Sequence, residues 1–282
     1  MKHRAIKDLN QLTDDDLFKE ISVGLGIIYE NCIELDASFK LLVENKNYRA
    51  SRIIEAVSKE EAAKYLILID VLRCPKQKHK EVTRQLAKFN DHMAKGVYAE
   101  LCDWRPSSYD DLTSYIKSSL EEFYLDGPLG IDWIFRNSII SNREEAFYVD
   151  YVDNDDEHRW ITPQSHDNVS KMFSINSSSS VINIVKALHE IGVTEYAAIK
   201  EFSNYWRSFE YSGNTHYTEF RKANLECFTN LDEKNLLKEV SDDKYALVIN
   251  QLPFPLYKEE MKEINISREA LKEIQDNWCV EY

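Results

Sequence analysis

Apolar residues recur at three- and four-residue intervals over most of this chain, and the breaks in that period divide it into elements. Leu17, Ile21, Leu25, Ile28, Cys32 and Leu35 form the first set. Thr13 stands just ahead of it, followed by Asp14, Asp15 and Asp16: a capping oxygen and then acids that suit the positive end of a helix dipole. A helix is therefore predicted from Thr13 to about Glu44, with Asn45 and Asn47 as punctuation. The stretch from Ser51 to Leu101 follows, and the rest of the chain is organised around it. Ile53, Val57, Leu68 and Val71 make one inward stripe, and Val82, Leu86, Phe89, Met93 and Val97 a second. Between them lies a basic turn split at Cys74-Pro75, where proline disfavours helix in the preceding residue. An antiparallel helix pair is the predicted result.

Beyond Trp104-Arg105-Pro106, Ser107 or Ser108 starts a helix carrying Leu112, Tyr115, Ile116, Leu120 and Phe123, which Asp126-Gly127-Pro128 ends. A short helix follows over residues 131–143. The period then changes. Phe147 to Val152 and Arg159 to Thr162 are β-rich and flank an acidic turn, which predicts a small hairpin packed on the helices. Ser177 to Ser180 offer caps to a helix carrying Val181, Ile184, Val185 and Leu188 and closed by Gly192. A longer helix runs from Thr194 to about Tyr211, stopped near Gly213. Pro253-Phe254-Pro255 interrupts the last helical set before Ile266 to Trp278. With no internal repeat or long linker, the chain divides softly into a helical core with its hairpin, residues 1–175, and a C-terminal helical extension on that core, residues 176–282.

Charge changes this picture at the centre. Glu60 and Lys64, four residues apart, fall in the middle of the first stripe, where charge is costly unless it is paired or wetted by a site. His92 flanks the second stripe together with Lys88, Lys95 and Arg84. From Arg73 to Lys95 there are seven Lys or Arg against two acids, in a chain of net charge −14. Such local basicity attracts phosphate. The alternatives are a structural ion pair at Glu60 and Lys64 and a solvated basic face.

Composition then sets limits. With 282 residues, 43% hydrophobic and 12% aromatic, the chain can bury a substantial core and is not a disordered protein. Seven Gly and six Pro argue against a turn-rich β architecture. Five scattered cysteines without a CxxC pair indicate reduced, cytoplasmic usage and no structural zinc. No apolar run is long enough for a signal peptide or a membrane span.

Several chemistries fall away next. No histidine has Glu three residues before it, HExxH and GxSxG are absent, and Gly24-Leu25-Gly26 lacks the Lys-Ser or Lys-Thr of a phosphate loop. No cofactor and no metal are therefore expected. RNA carries its own nucleophile, the 2′-hydroxyl, so a base, an acid and cations around the phosphate suffice to cut it. His92 beside Lys88 and Lys95 fits that chemistry. Glu60 or Glu61 would orient the side chains, with Lys64 in the same cluster. Arg73, Lys76, Lys78, Arg84 and Lys88 are the candidate RNA-binding cations.

At these residues the chain resembles a known family. Ser58-Lys59-Glu60-Glu61-Ala62-Ala63-Lys64 is similar to the EE-x-x-K signature in the HEPN-like domain of the abortive infection protein AbiV family. Phe89-Asn90-Asp91-His92-Met93-Ala94-Lys95 resembles that family's F-x-x-H-x-x-K. Tyr148-Val149-Asp150-Tyr151, followed by Trp160-Ile161-Thr162-Pro163, resembles its YVDY…W-x-x-P segment. The three motifs stand in order over residues 50–165, and after Ser180 the likeness is mainly at Leu252-Pro253-Phe254-Pro255-Leu256.

The resemblance implies a mainly α fold, a HEPN-like antiparallel helical bundle with a small β-hairpin insertion and a C-terminal helical extension. It further implies a role in phage defence, shutdown of translation set off by a phage-encoded activator protein, and a homodimer, since HEPN ribonucleases usually build their site across two protomers. Many HEPN enzymes carry Arg, four to six residues, then His. Here Arg84 and His92 have seven between them, while Arg73 to His79 and Arg159 to His166 fit the spacing. Arg159 and His166 are thus the alternative catalytic pair. The rival expectation is a HEPN protein that blocks translation by binding RNA, the ribosome or a protein without cutting.

Overall fold

The Thr13 hydroxyl accepts the backbone N–H of Asp16 at 3.3 Å, and α1 (Asp14–Glu44) starts there with three acids in its first turn. The computed structural model describes residues 5–121, 139–140, 147–154, 157–163, 178–262, 267, 269–270 and 273. Among these, α1 is followed by α2 (Tyr48–Arg73), α3 (His79–Lys88), α4 (His92–Glu100) and α5 (Tyr109–Glu121). A two-stranded antiparallel ribbon pairs β1 (Asp150–Asn154) with β2 (Glu157–Ile161). Then come α6 (Ser180–Ile191), α7 (Tyr196–Ser208), α8 (Tyr217–Glu233) and α9 (Asp242–Gln251). No described helix is long and apolar enough to cross a membrane.

Helix α2 is the axis of the fold. It packs against α1, α3, α4, α6 and α7, so every residue from Tyr65 to Cys74 is buried. The expected one-sided stripe therefore fails at both ends. Val57 is 38% exposed, and the segment after Tyr65 is surrounded on all sides. A helix enclosed by neighbours needs no polar face, which accounts for an apolar run interrupted only by Asp70 between Tyr65 and Leu72.

The second arm of the expected helix pair is two helices. Asp91 Oδ1 accepts the N–H of Ala94 at 3.0 Å, a cap that starts α4 afresh after the turn at Phe89 to Asp91. Gln85 of α3 reaches back to the Ile67 carbonyl, whereas α4 meets Glu60 through His92 and Asp70 through Tyr98. Contacts thus advance in the same sense along α2 and α4. Of these two helices, only α3 runs antiparallel to α2.

The later elements keep close to their predicted limits. Gly192 closes α6 at φ +87°, a left-handed conformation that costs glycine no Cβ clash. One hydrophobic cluster runs from Leu17 to Met261 and crosses the division expected after residue 175. In α1, Asp36 holds the inward place beside half-buried Leu35. Lys186 Nζ donates to it at 2.5 Å, Lys40 Nζ at 2.9 Å and Ser178 Oγ at 2.8 Å, which ties α6 to α1. Cys32, Cys74, Cys102 and Cys227 are free buried thiols. In the ribbon, Tyr151 faces Trp160, and both are exposed, at 55% and 69%. This aromatic face is open, and the side chains of the opposite face, on which packing against helices was expected, lie outside the described residues. The end signal at Asp126 to Pro128 and Cys279 lie outside the described residues, as does most of the helices expected over 131–143 and 266–278.

Proline at 253 ends α9, and the chain then crosses the core as an extended strap with Leu252, Phe254, Leu256, Tyr257 and Met261 buried. Phe254 stacks on Phe220 of α8 with ring centroids 4.2 Å apart. Polar groups fix the strap. Asp70, fully buried, takes the N–H of Leu256 at 2.8 Å, the Tyr98 hydroxyl at 2.5 Å and Arg73 Nε at 2.7 Å. Arg73 also donates to the Pro253 carbonyl at 2.8 Å, and its guanidinium lies 5.6 Å from the Trp206 ring. Lys88 Nζ donates to the Leu256 carbonyl at 2.7 Å and to Gln85 Oε1 at 2.9 Å. The lone acid in the apolar run of α2 is thereby paired and hydrogen-bonded, the condition under which a buried charge is tolerated.

Two outcomes follow for stability. Asp70→Asn leaves the Arg73 charge without its counter-ion and should cost about 3–5 kcal/mol in chemical denaturation. Burial pushes the Lys88 ammonium down to about 8. Between there and the ordinary 10.5 the unfolded chain holds more protons at this residue, so its contribution to stability rises with pH. Denaturation of wild type and Lys88→Met should show the difference shifting in favour of wild type across that window.

Candidate active site

His92 is the first residue of α4, placed there by the Asp91 cap, and Lys95 stands one turn further on the same face. Across from them, Glu60 projects from the middle of α2. Its Oε1 and Oε2 lie 2.9 and 3.0 Å from His92 Nδ1, and Oε2 is 2.5 Å from Lys95 Nζ. Lys95 Nζ is also 3.3 Å from His92 Nδ1. Two carboxylate oxygens around one ring nitrogen call for a proton on it, so the hydrogen-bond network assigns Nδ1–H as donor. Nε2 then carries the lone pair in the neutral ring.

Burial separates the roles. The Lys95 side chain is 5% exposed and that of Glu60 19%, while that of His92 is 48% exposed. Burial alone would push the Glu60 carboxyl up. The hydrogen bonds from Lys95 and His92 outweigh it and hold the group below its ordinary 4.5. The arrangement is an ionised carboxylate and a sheltered ammonium holding an imidazole that reaches water. Chemically, such an imidazole can take a proton from a bound hydroxyl, with a cation beside it to offset developing negative charge.

These groups line a cleft of about 280 Å³ between α2, α4 and the start of α6. Gly96 forms part of its wall, and a Cβ there would collide with Ile139. Among the described residues of the lining, Arg52, Lys59 and Lys95 face Glu55, Glu60, Glu100 and Asp103, with no excess of cations. Lys59 and Glu55 pair at 2.7 Å. One guanidinium nitrogen of Arg52, Nη1, is buried without a hydrogen-bond partner among the described residues.

The structure brings together His92, Glu60 and Lys95, and separates the others. Lys64 pairs with Glu61, not with Glu60, and its ammonium sits 5.4 Å from the Phe89 ring. The stacked Glu60 and Lys64 pair is thus replaced by a contact between helices. Of the RNA-binding candidates, Arg73 and Lys88 are buried at 1% and 4% exposure and spent on Asp70 and the strap. That also removes the pairing of Arg73 with His79. Arg84 donates to the Tyr257 and Lys258 carbonyls, and Lys76 to the Leu12 carbonyl beside Asp14. Lys78 is exposed. Arg159 stands on β2 opposite Val152, and His166 lies outside the described residues.

Sequence reasoning missed Arg52, Gly96 and the cap at Asp91. Asp91 had a legible signal, an acid directly before a new apolar period. Among the described residues no group of three His, Cys, Asp or Glu could hold a metal ion.

Comparison with known families places this geometry. The HEPN_AbiV profile, described as AbiV, matches residues 21–183, which contain α2, α3, α4 and the whole Glu60, His92 and Lys95 cluster. The chain belongs to the AbiV family. It is therefore an abortive-infection protein of the HEPN type, and its AbiV region is the mainly helical body around α2. No curated protein and no solved structure matches it.

The Glu60 contacts set a pH dependence. Because its folded value is depressed, Glu60 stabilises the fold above its ordinary 4.5, and that contribution is lost as pH falls through the folded value. Glu60→Gln should lower the denaturation midpoint at pH 7, and the gap to wild type should close as the pH is taken well below 4.5.

Proposed function

We propose that this AbiV-family protein is a metal-independent endoribonuclease that halts translation in the cytoplasm of a phage-infected cell. The observation that carries the reading is the Glu60 carboxylate gripping His92 Nδ1, which leaves Nε2 as a lone pair on a half-exposed ring at a cleft. A histidine oriented in this way by a carboxylate is suited to general-base work.

In the reaction, His92 Nε2 takes the proton of an RNA 2′-hydroxyl as its oxygen attacks the adjacent phosphorus. The bond from phosphorus to the 5′ oxygen breaks. That oxygen takes a proton from the imidazolium of His92 in a second copy, since the chain is proposed to act as a homodimer. The products are a 2′,3′-cyclic phosphate and a 5′-hydroxyl end. Lys95, held beside the ring, offsets the negative charge that builds on phosphate. A phage-encoded protein is the proposed trigger. Arg159 and His166 stay as the alternative pair within this reading.

One observation favours a second reading. Four carboxylates against three cations among the described residues of the cleft do not attract RNA, which suits a HEPN protein that blocks translation by binding a protein partner. Cleavage separates the two. Wild-type protein incubated with total bacterial RNA in excess chelator, with lysate from infected cells as a source of trigger, should yield fragments with cyclic phosphate ends. His92→Ala should lower the rate about 10²–10⁴-fold while keeping the wild-type fold by circular dichroism. Equal cleavage by both would move the site to Arg159 and His166, and no cleavage by either would favour the binding protein.

A further inference from the structure

Of the large hydrophobic side chains exposed among the described residues, Tyr148, Val149, Tyr151 and Trp160 stand together on the ribbon and the approach to it. The others are spread over α1, α2 and α8. In the strand register Tyr151 is opposite Trp160, and their ring centroids lie 5.0 Å apart. His158, also exposed, stacks on Tyr151 with centroids 5.9 Å apart and an interplanar angle of 29°. Side chains two residues apart on a strand share a face, so the three rings form one continuous aromatic surface.

Such exposure is unfavourable in the free protein. A two-stranded ribbon is marginally stable by itself, and rings left in water forgo the gain of burial. Tyr and Trp are also the residue types that anchor protein partners. The charge around them selects the partner. Residues 147–163 carry Asp150, Asp153, Asp155, Asp156 and Glu157 against Arg159 alone, five acids to one base and so a local −4. A nucleic-acid strand, or a second copy of this chain at −14, brings charge of the same sign and is disfavoured. Cations are favoured twice, by the carboxylates and by the ring faces, whose quadrupole attracts guanidinium and ammonium groups.

We propose that the aromatic face of the ribbon is a docking surface for an extended, arginine- or lysine-bearing segment of another protein. Among the described residues the sheet has two strands, and no third strand pairs with it. A segment laid along an outer edge in extended form continues the ladder with its backbone, and its alternate side chains then fall on the aromatic face. Arginine suits the surface better than lysine, because its planar guanidinium stacks on a ring and keeps its donors for carboxylates. The inference stands on the ribbon alone, so it holds whether or not His92 cuts RNA.

Titration of the full ¹⁵N-labelled chain with an octapeptide of alternating arginine and threonine tests this through the tryptophan indole N–H signals, that of Trp160 being assigned by its loss in Trp160→Phe. The Trp160 signal should move and saturate at peptide concentrations on the order of 1 mM or below. That of buried Trp206 should stay in place. In fluorescence anisotropy with labelled peptide, the double variant Tyr151→Ala, Trp160→Ala should bind about fivefold or more weakly, and Tyr151→Phe, Trp160→Phe close to wild type. Neither pair alters net charge, so equal binding by wild type and the alanine pair would reduce the contact to diffuse electrostatics and overturn the proposal. It is equally overturned if the peptide leaves Trp160 unmoved, or if a single-stranded uridine octamer moves that signal instead. Self-association in sedimentation that the alanine pair abolishes would assign the face to a second copy and also overturn it. The wild-type titration decides by itself where the alanine pair disturbs the ribbon.

Discussion

A carboxylate at the centre of a helical core has to be satisfied by the chain itself, and Asp70 is satisfied by three elements at once, with a fourth one bond away. It receives Arg73 from its own helix, Tyr98 from α4 and the Leu256 amide from the strap, while Gln85 of α3 reaches the same Tyr98 hydroxyl. Removing any one partner leaves a charged or polar group stranded out of water. The network therefore fixes the order in which α2, α3, α4 and the strap stack. It also sets the approach of α4 to α2, on which the distance from Glu60 to His92 depends. Ten residues along α2 from the buried hub, the same pair of helices opens into the cleft.

The two polar clusters on α2 show what burial does to one kind of pairing. At Asp70 and Arg73, 0% and 1% exposed, every charge is enclosed and the result is architecture. At Glu60 and Lys95 the carboxylate and ammonium are sheltered, but they hold a third group that reaches solvent. That half-open geometry gives an imidazole a fixed tautomer and a free nitrogen. On the far side of the α3 to α4 joint, the described lining of a basic groove has Lys7, Lys80, Arg84, Lys88 and Lys262 against Asp91 and Glu260, with Lys262 and Glu260 paired at 3.6 Å. Asp91 stands at this boundary. It caps the helix that carries His92 and lines the basic groove.

Much of this was legible in the sequence, for local reasons. Thr13 ahead of three aspartates, Gly192 after a helical period and Pro253 after another each act on the nearest few residues, so they mark ends wherever the chain is folded. His92 and Glu60 were recognisable because charge in an apolar stripe needs an explanation. Partner choice was not legible. Lys64 is a better-spaced neighbour for Glu60 than anything on α4, and only the packing of α4 on α2 brings Lys95 closer. Likewise the basic run from Arg73 to Lys88 reads as one surface, yet Arg73 and Lys88 turn inward because Asp70 and the strap, about 180 residues further on, present acceptors there. The strap itself looked like an interruption, since nothing local shows that Leu252 to Leu256 threads the core.

The central claim is that Glu60 fixes the proton of His92 on Nδ1 and leaves Nε2 as the basic nitrogen. Long-range proton–nitrogen correlation spectra of protein labelled with ¹⁵N-histidine read the tautomer directly at a pH where the ring is neutral. The account predicts the Nδ1–H form for His92 in wild type, with that preference lost in Glu60→Gln. A wild-type His92 in the Nε2–H form, unchanged by the substitution, would contradict it.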